Sequence, residues 1–205
     1  MPEAARLSFP LDRQARVAVL ASGRGSNLAS LLAAFPPSGE EPLAAVRLVL
    51  SDRRDAPALA RAAAAGVHAE HVPFGRDRDA FERRAEALLR QHRVDLVCLA
   101  GFMRILSGAF TAAWEGRLLN IHPSLLPAFP GLHAQRQALS AGARESGCTV
   151  HFVDAGVDTG RVIVQRTVPV LAGDDEDSLA MRILEQEHRA YPAAVRLVLR
   201  GEAAP

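Results

Sequence analysis

Cysteine is scarce in this chain: Cys98 and Cys148 are the two among 205 residues. Both lie in apolar runs and neither belongs to a Cys-x-x-Cys pair. That argues against a zinc module or a disulfide scaffold and predicts two reduced, buried thiols in a cytoplasmic protein. A surplus of either charge is lacking too. Lys plus Arg number 24 against 23 Asp plus Glu, a formal net charge of +1, so no global field draws the chain to nucleic acid or to an anionic membrane. Any anionic ligand must be held locally. No apolar run is long enough to span a membrane, since even residues 94–103 are broken by Asp95 and Gly101. Residues 1–15 contain Glu3 and Asp12 and no apolar core segment, so they predict a loose N-terminal extension and not a signal peptide. Internal repeats are absent. What remains has the length for one generous domain with a full core.

Within that domain, apolar runs alternate regularly with helical spacings. Residues 16–21 are apolar and rich in valine, end at Ser22-Gly23-Arg24-Gly25-Ser26-Asn27, and lead to Leu28, Leu31, Leu32 and Phe35. That is strand, glycine loop, helix. Residues 44–51 predict a second strand, 57–65 a helix that opens on Pro57 and stops at Gly66, and 68–72 a short third strand. Residues 78–92 carry Phe81, Ala85, Leu88 and Leu89 on one helical face. Residues 94–100 read as an interior parallel strand, apolar on both faces. A helix at 107–114 then leads to Leu118 and Leu119. After a proline-stiffened loop at 123–133, in which Leu126-Pro127 is a candidate cis bond, come a helix at 134–141, strands at 148–153 and 161–170, and a long helix at 177–199. The pattern implies an α/β fold with a twisted, mostly parallel central sheet flanked by helices.

The densest chemistry lies at Asn120-Ile121-His122-Pro123-Ser124-Leu125-Leu126-Pro127. Period-two alternation sends Asn120 and His122 to one face of a strand that is ending. An amide donor and an imidazole at the carboxyl edge of a parallel sheet suit a reaction in which a carbonyl oxygen gains charge while a proton moves. A lone histidine there more often only caps the strand, so its neighbours decide.

Four other features bear on function. In the glycine loop, Gly23 and Gly25 permit tight turns, Ser26 or Asn27 can cap the helix, and the first helical amides form an anion site. It is not a Walker motif, because no Lys-Ser/Thr follows, and Leu28 stands where a dinucleotide fingerprint has its third glycine. Asp52, near the end of the second strand, still leaves open an NAD-dependent oxidoreductase in which it meets a ribose. A non-catalytic nucleotide-sensing module is the other open class. Apolar residues at 101–106 either pack under a loop or wall a pocket for a flat ligand, and Arg76 and Arg78 read as surface. In the turn at 154–160 Asp154 reads as solvated, whereas Asp158 has no evident structural duty. Glu187 falls four residues after Ile183 and four before Tyr191, on or beside the apolar face, and needs a partner: Arg182, His188, another buried donor or a ligand hydroxyl.

Ser-Gly-x-Gly-Ser-Asn at 22–27, Ala-Gly-Phe-Met-Arg-Ile-Leu at 100–106, Asn-Ile-His-Pro-Ser-Leu-Leu-Pro at 120–127, Val-Asp-Thr-Gly at 157–160 and Gln-Glu-His at 186–188 together resemble the phosphoribosylglycinamide formyltransferase family. The resemblance runs from about residue 16 to residue 201. It implies a single three-layer, Rossmann-like domain whose N-terminal half binds a nucleotide phosphate and whose C-terminal half binds folate and carries catalysis.

At matching positions the resemblance implies that Gly25, Ser26 and Asn27 hold the phosphate of glycinamide ribonucleotide and that Glu187 binds its ribose hydroxyls. It implies a folate site made by Arg78, Met103, Arg104, Ile105, Leu106 and Asn120 with the turn Asp154, Ala155, Gly156, Val157 and Asp158. The folate tail would meet an arginine. Asn120, His122 and Asp158 are the implied catalytic trio, with Asp158 favouring the imidazolium by Coulomb attraction. Leu184 departs from the polar residue usual near the phosphate. The implied reaction moves a formyl group from 10-formyltetrahydrofolate, a cosubstrate, to a primary amine in purine biosynthesis, with no metal and no covalent nucleophile. The partners would be small molecules, in a monomer or a homodimer. A methionyl-tRNA formyltransferase would carry a further domain for RNA. A formyltetrahydrofolate hydrolase would put water where the amine goes.

Overall fold

The computed structural model describes residues 8–205 of the chain. Seven strands, β1 (Ala15–Leu20), β2 (Ala44–Ser51), β3 (His68–His71), β4 (Leu96–Leu99), β5 (Leu118–His122), β6 (Glu145–Phe152) and β7 (Val162–Pro169), form one sheet in the order β3-β2-β1-β4-β5-β6-β7. The first five are parallel, and β6 and β7 are antiparallel to their neighbours. The helices are α1 (Ser26–Ala34), α2 (Pro57–Ala64), α3 (Arg78–Gln91), α4 (Gly108–Ala113), α5 (Ala134–Ser140) and α6 (Glu176–Leu199).

Strand alternation divides the apolar residues between two cores and so makes three layers. Val17 and Val19 of β1 face the core shared with α1, α2 and α6, whereas Ala18 and Leu20 face the one beneath α3 and α4. β5 follows the same rule: Leu119 and Ile121 point to the first core and Leu118 to the second. Asn120 and His122 therefore share the face of Leu118. Tyr191 fixes this region from α6, being fully buried with its hydroxyl 2.9 Å from the Leu99 carbonyl and 3.1 Å from that of Leu119. Burying such a ring is worth roughly 2–3 kcal/mol.

Three local features differ from expectation or extend it. β6 begins at Glu145, three residues before the strand expected from 148, because Glu145 to Gly147 pair with Pro169 to Thr167. A Cβ on Gly147 would run into the Arg166 carbonyl, so this close ladder needs glycine. Within the expected N-terminal extension, residues 8–14 lie against the domain: Arg13 makes two hydrogen bonds of 2.8 Å to the Asp95 carboxylate, and Gln14 donates to the Glu41 carbonyl at 2.5 Å. Residues 1–7 fall outside the described residues. Leu126-Pro127 is cis.

Cys98 and Cys148 are free and buried, and burial pushes both thiols up to about 12. Among the described residues no helix is long and apolar enough to cross a membrane.

Candidate functional site

Strand order reverses between β1 and β4, and the loops leaving their carboxyl ends open a crevice there. Ser22 joins the two loops: its amide donates to the Gly101 carbonyl at 3.1 Å, and its hydroxyl accepts from the Met103 amide at 2.9 Å. A cleft of about 500 Å³ results, lined among others by Gly25, Ser26, Asn27, Asp52, Arg104, Leu184 and Glu187.

The start of α1 forms one wall of this cleft. The expected side-chain cap from Ser26 or Asn27 is not made. Gly25 is the N-cap, in the left-handed region at φ 73°, and no side chain caps the helix. The Asn27 amide instead donates to Glu187 Oε2 at 2.7 Å, which supplies the partner that Glu187 required. Of the named candidates, Arg182 pairs with Asp174, and His188 Nε2 has no hydrogen-bond partner among the described residues. With no capping side chain or acidic residue in its first turn, α1 directs its unpaired amides and the positive end of its dipole at the cleft. Burial raises the Glu187 carboxyl above its ordinary range, against the pull of the Asn27 amide. Leu184 lines the same cleft, so α6 offers an apolar side chain there.

Asp52 does not stand free for a ribose. Its Oδ2 accepts from Arg104 Nε at 2.6 Å and its side chain is 1% exposed. Met103 and Ile105 are largely exposed beside it, whereas Leu106 is buried in the second core with Phe102. Part of the stretch at 101–106 thus packs into the core, while Met103 and Ile105 line open grooves. Arg78 lies across a wider groove, about 660 Å³, lined also by Phe74, Arg76, Met103, Arg104 and Ile105.

Asn120, His122 and Asp158 meet at the end of β5. Asp158 Oδ2 is 3.2 Å from His122 Nδ1, and its Oδ1 accepts from the Asn120 amide at 3.4 Å. His122 Nε2 lies 2.9 Å from the Phe129 carbonyl, so both ring nitrogens face oxygen acceptors. An imidazolium, with two N–H donors, satisfies both. Asp158 adopts φ 56°, a left-handed conformation that aspartate tolerates better than most residues. Its Oδ2 also accepts from the Gly131 amide at 2.9 Å, tying the turn to the loop at 123–133. Burial alone would raise the Asp158 carboxyl. The nearby His151 ring, the Gly131 amide donating at 2.9 Å and the His122 ring together outweigh burial and hold it below its ordinary range. Elsewhere in this turn, Asp154 is exposed and accepts from the Gly156 amide and the Thr159 hydroxyl, with Ala155 and Val157 exposed beside it.

His151 is the member of this cluster that sequence reasoning missed. It pairs with Asn120 across the antiparallel β5–β6 ladder, and its Nε2 lies 3.2 Å from Asn120 Nδ2 and 3.6 Å from Asp158 Oδ1. Its other nitrogen is 2.7 Å from the Phe152 carbonyl, and the side chain is 2% exposed. A polar residue two places after Thr149, on the face opposite Cys148 and Val150, was the available signal.

Residues 15–195 match the family model described as formyl transferase. The chain is 52% identical over 195 residues to the trifunctional purine biosynthetic protein adenosine-3 of Drosophila melanogaster, covering 94% of this chain and 14% of that protein. It is 46% identical over 182 residues to phosphoribosylglycinamide formyltransferase of Escherichia coli K12, covering 87% of this chain and 84% of that one. Among solved structures, glycinamide ribonucleotide transformylase 1 from Symbiobacterium toebii superposes with a TM-score of 0.88 at 48% identity, over 97% of this chain and 94% of that one.

Proposed function

Because the chain belongs to the formyl transferase family, we propose that it transfers a formyl group from 10-formyltetrahydrofolate to the primary amine of glycinamide ribonucleotide, a step of purine biosynthesis. The observation that carries this reading is the meeting of Asn120, His122 and Asp158 at one strand end, next to a cleft with a helix N-terminus and a buried carboxylate. The ribonucleotide phosphate rests on the first amides of α1, at Gly25, Ser26 and Asn27. Glu187, oriented by Asn27, accepts from the ribose hydroxyls. The folate lies along Met103, Arg104, Ile105 and Leu106 and against the turn at 154–158, with its tail toward Arg78.

The chemistry follows from the same geometry. As the amine attacks the formyl carbon, negative charge grows on the formyl oxygen. Asn120 Nδ2 turns to that oxygen from its long 3.4 Å contact with Asp158, and the His122 imidazolium stabilises the charge. The carbon–nitrogen bond to the folate then breaks as the His122 ring, turning one N–H away from its two acceptors, Asp158 and the Phe129 carbonyl, delivers that proton to the departing nitrogen. Asp158 holds the imidazolium and takes up, directly or through water, the proton that the amine releases. Its lowered pKa keeps Asp158 ionised and so favours the imidazolium; proton uptake becomes easier once His122 has given up its charge and no longer holds the carboxyl down.

Mass spectrometry of glycinamide ribonucleotide incubated with enzyme and formyl donor tests this. The expected result is the mass of one formyl group added to the ribonucleotide, with tetrahydrofolate released in equal amount. Tetrahydrofolate and free formate, formed whether or not the ribonucleotide is present, would instead make the chain a hydrolase.

A further inference from the structure

Formyl transfer as derived above leaves Asp52 without a task. It directly follows β2 and is buried; one carboxylate oxygen accepts from Arg104 Nε at 2.6 Å, and the other has no hydrogen-bond partner among the described residues. Burying a carboxylate in this way costs free energy that an ion pair only partly offsets, so its presence calls for a benefit elsewhere. Arg104 shows where that benefit lies. Its guanidinium carbon is 5.2 Å from the Phe74 ring centre, and its side chain is 45% exposed. One face thus rests on an aromatic ring and one edge on a carboxylate. A planar guanidinium held at those two places has its orientation set. Among the described residues its two outer nitrogens have no hydrogen-bond partner.

Those nitrogens belong to a side chain that lines both the nucleotide cleft and the groove of Phe74, Arg76 and Arg78. The nucleotide phosphate already has the amides of α1. The groove, by contrast, gathers three arginines in a chain whose formal net charge is only +1. Of its two aspartates, Asp77 is occupied in capping α3, where it accepts from the Ala80 amide at 2.9 Å. A groove of this composition suits an extended ligand carrying carboxylates, each able to take two parallel hydrogen bonds from a guanidinium.

We propose that Asp52 is a positioning residue which, through its ion pair with Arg104, presents the outer edge of that guanidinium to the anionic tail of the folate lying beside Arg76 and Arg78. The proposal rests on the folate reading above and adds to it a residue from the opposite side of the crevice. Asp52 does not touch the substrate. It acts through Arg104 alone, so its removal should matter only where Arg104 and a charged tail are both present.

Two formyl donors decide the matter: the complete 10-formyltetrahydrofolate, and a formylated tetrahydropteroate that ends before the glutamate. Their KM values, and their dissociation constants by calorimetry, are measured for wild type, Asp52→Asn, Asp52→Ala, Arg104→Ala and the Asp52→Ala/Arg104→Ala double variant. Asp52→Ala should raise KM and Kd for the complete donor about tenfold, the size expected for one charge-assisted hydrogen bond, and Asp52→Asn by less. The kcat and the KM for the ribonucleotide should stay within about twofold, and the truncated donor should not distinguish the variants. In the Arg104→Ala background, Asp52→Ala should add nothing. Equal losses on both donors, additive losses in the double variant, or no change in Asp52→Ala would each overturn the proposal. Should Asp52→Ala fail to fold, the isosteric Asp52→Asn carries the same comparison. Calorimetry keeps the outcome separate from the proposed reaction, because a wild type that binds folate without formylating the ribonucleotide defeats the reaction and still reports on Asp52.

Discussion

The Asn27 side-chain amide donates to Glu187 across 160 positions of sequence, at 2.7 Å, and joins the first turn of α1 to the middle of α6. The bond fixes a carboxylate in the cleft between the loops that follow β1 and β4. Glu187→Gln should keep the shape and lose an acceptor for the ribose hydroxyls, so the KM for the ribonucleotide should rise about tenfold or more while that for the folate changes little. Steady-state kinetics with each substrate varied in turn checks this. The pH dependence has a definite sign. Burial raises this carboxyl in the folded state, so its contribution to stability is complete below the unfolded pKa and is lost as pH rises through the folded value. Thermal unfolding from acid to neutral pH should therefore show a smaller loss of stability in Glu187→Gln than in wild type. An equal loss in both would assign the effect to other groups.

Gly25 is held at φ 73°, and a Cβ there would lie 3.0 Å from Ala58 of α2. Gly25→Ala meets both a left-handed backbone, costing roughly 1–2 kcal/mol, and a tight neighbour. The first amides of α1 should shift, raising the KM for the ribonucleotide at least tenfold with the folate KM nearly unchanged. Equal effects on both substrates would separate the glycine loop from the phosphate.

His151 faces Asn120 across the β5–β6 ladder with their side-chain nitrogens 3.2 Å apart. His151→Phe keeps a ring in a buried place and removes its polar edge, leaving Asn120 and Asp158 one partner fewer. The kcat should fall about tenfold, with the loss largely absent in an Asn120→Ala background because the two residues act together. Fully additive losses would show that His151 works independently of Asn120.

The legible parts of this molecule are those set by local pattern. β1, β2 and β4 read clearly because strands covered on both faces are apolar at nearly every position. The shared face of Asn120 and His122 follows from a period of two, whatever surrounds them. Pairings made by the fold were not legible. Glu145, Ser146 and Gly147 carry no apolar pattern and become strand because β7 lies alongside. His151 reaches Asn120 through the register of an antiparallel pair, which one strand's own sequence does not reveal. Asn27 looked like a helix cap because asparagine favours that place, but a buried carboxylate on a helix at the far end of the chain takes its amide. The place of Asp52 after β2 left open a ribose contact, and Arg104 pairs with its carboxylate instead.

The central proposal is that the Asp158 carboxylate, 3.2 Å from His122, serves the chemical step, over and above the place of its turn beside the folate. Single-turnover formyl transfer in Asp158→Asn, with both substrates saturating and both dissociation constants measured separately, tests it most directly. Removing the negative charge with the shape nearly kept should lower the transfer rate by roughly a hundredfold, the usual range for a general acid–base group, with both dissociation constants within about twofold of wild type. A transfer rate close to that of wild type, or a loss confined to binding, would contradict it.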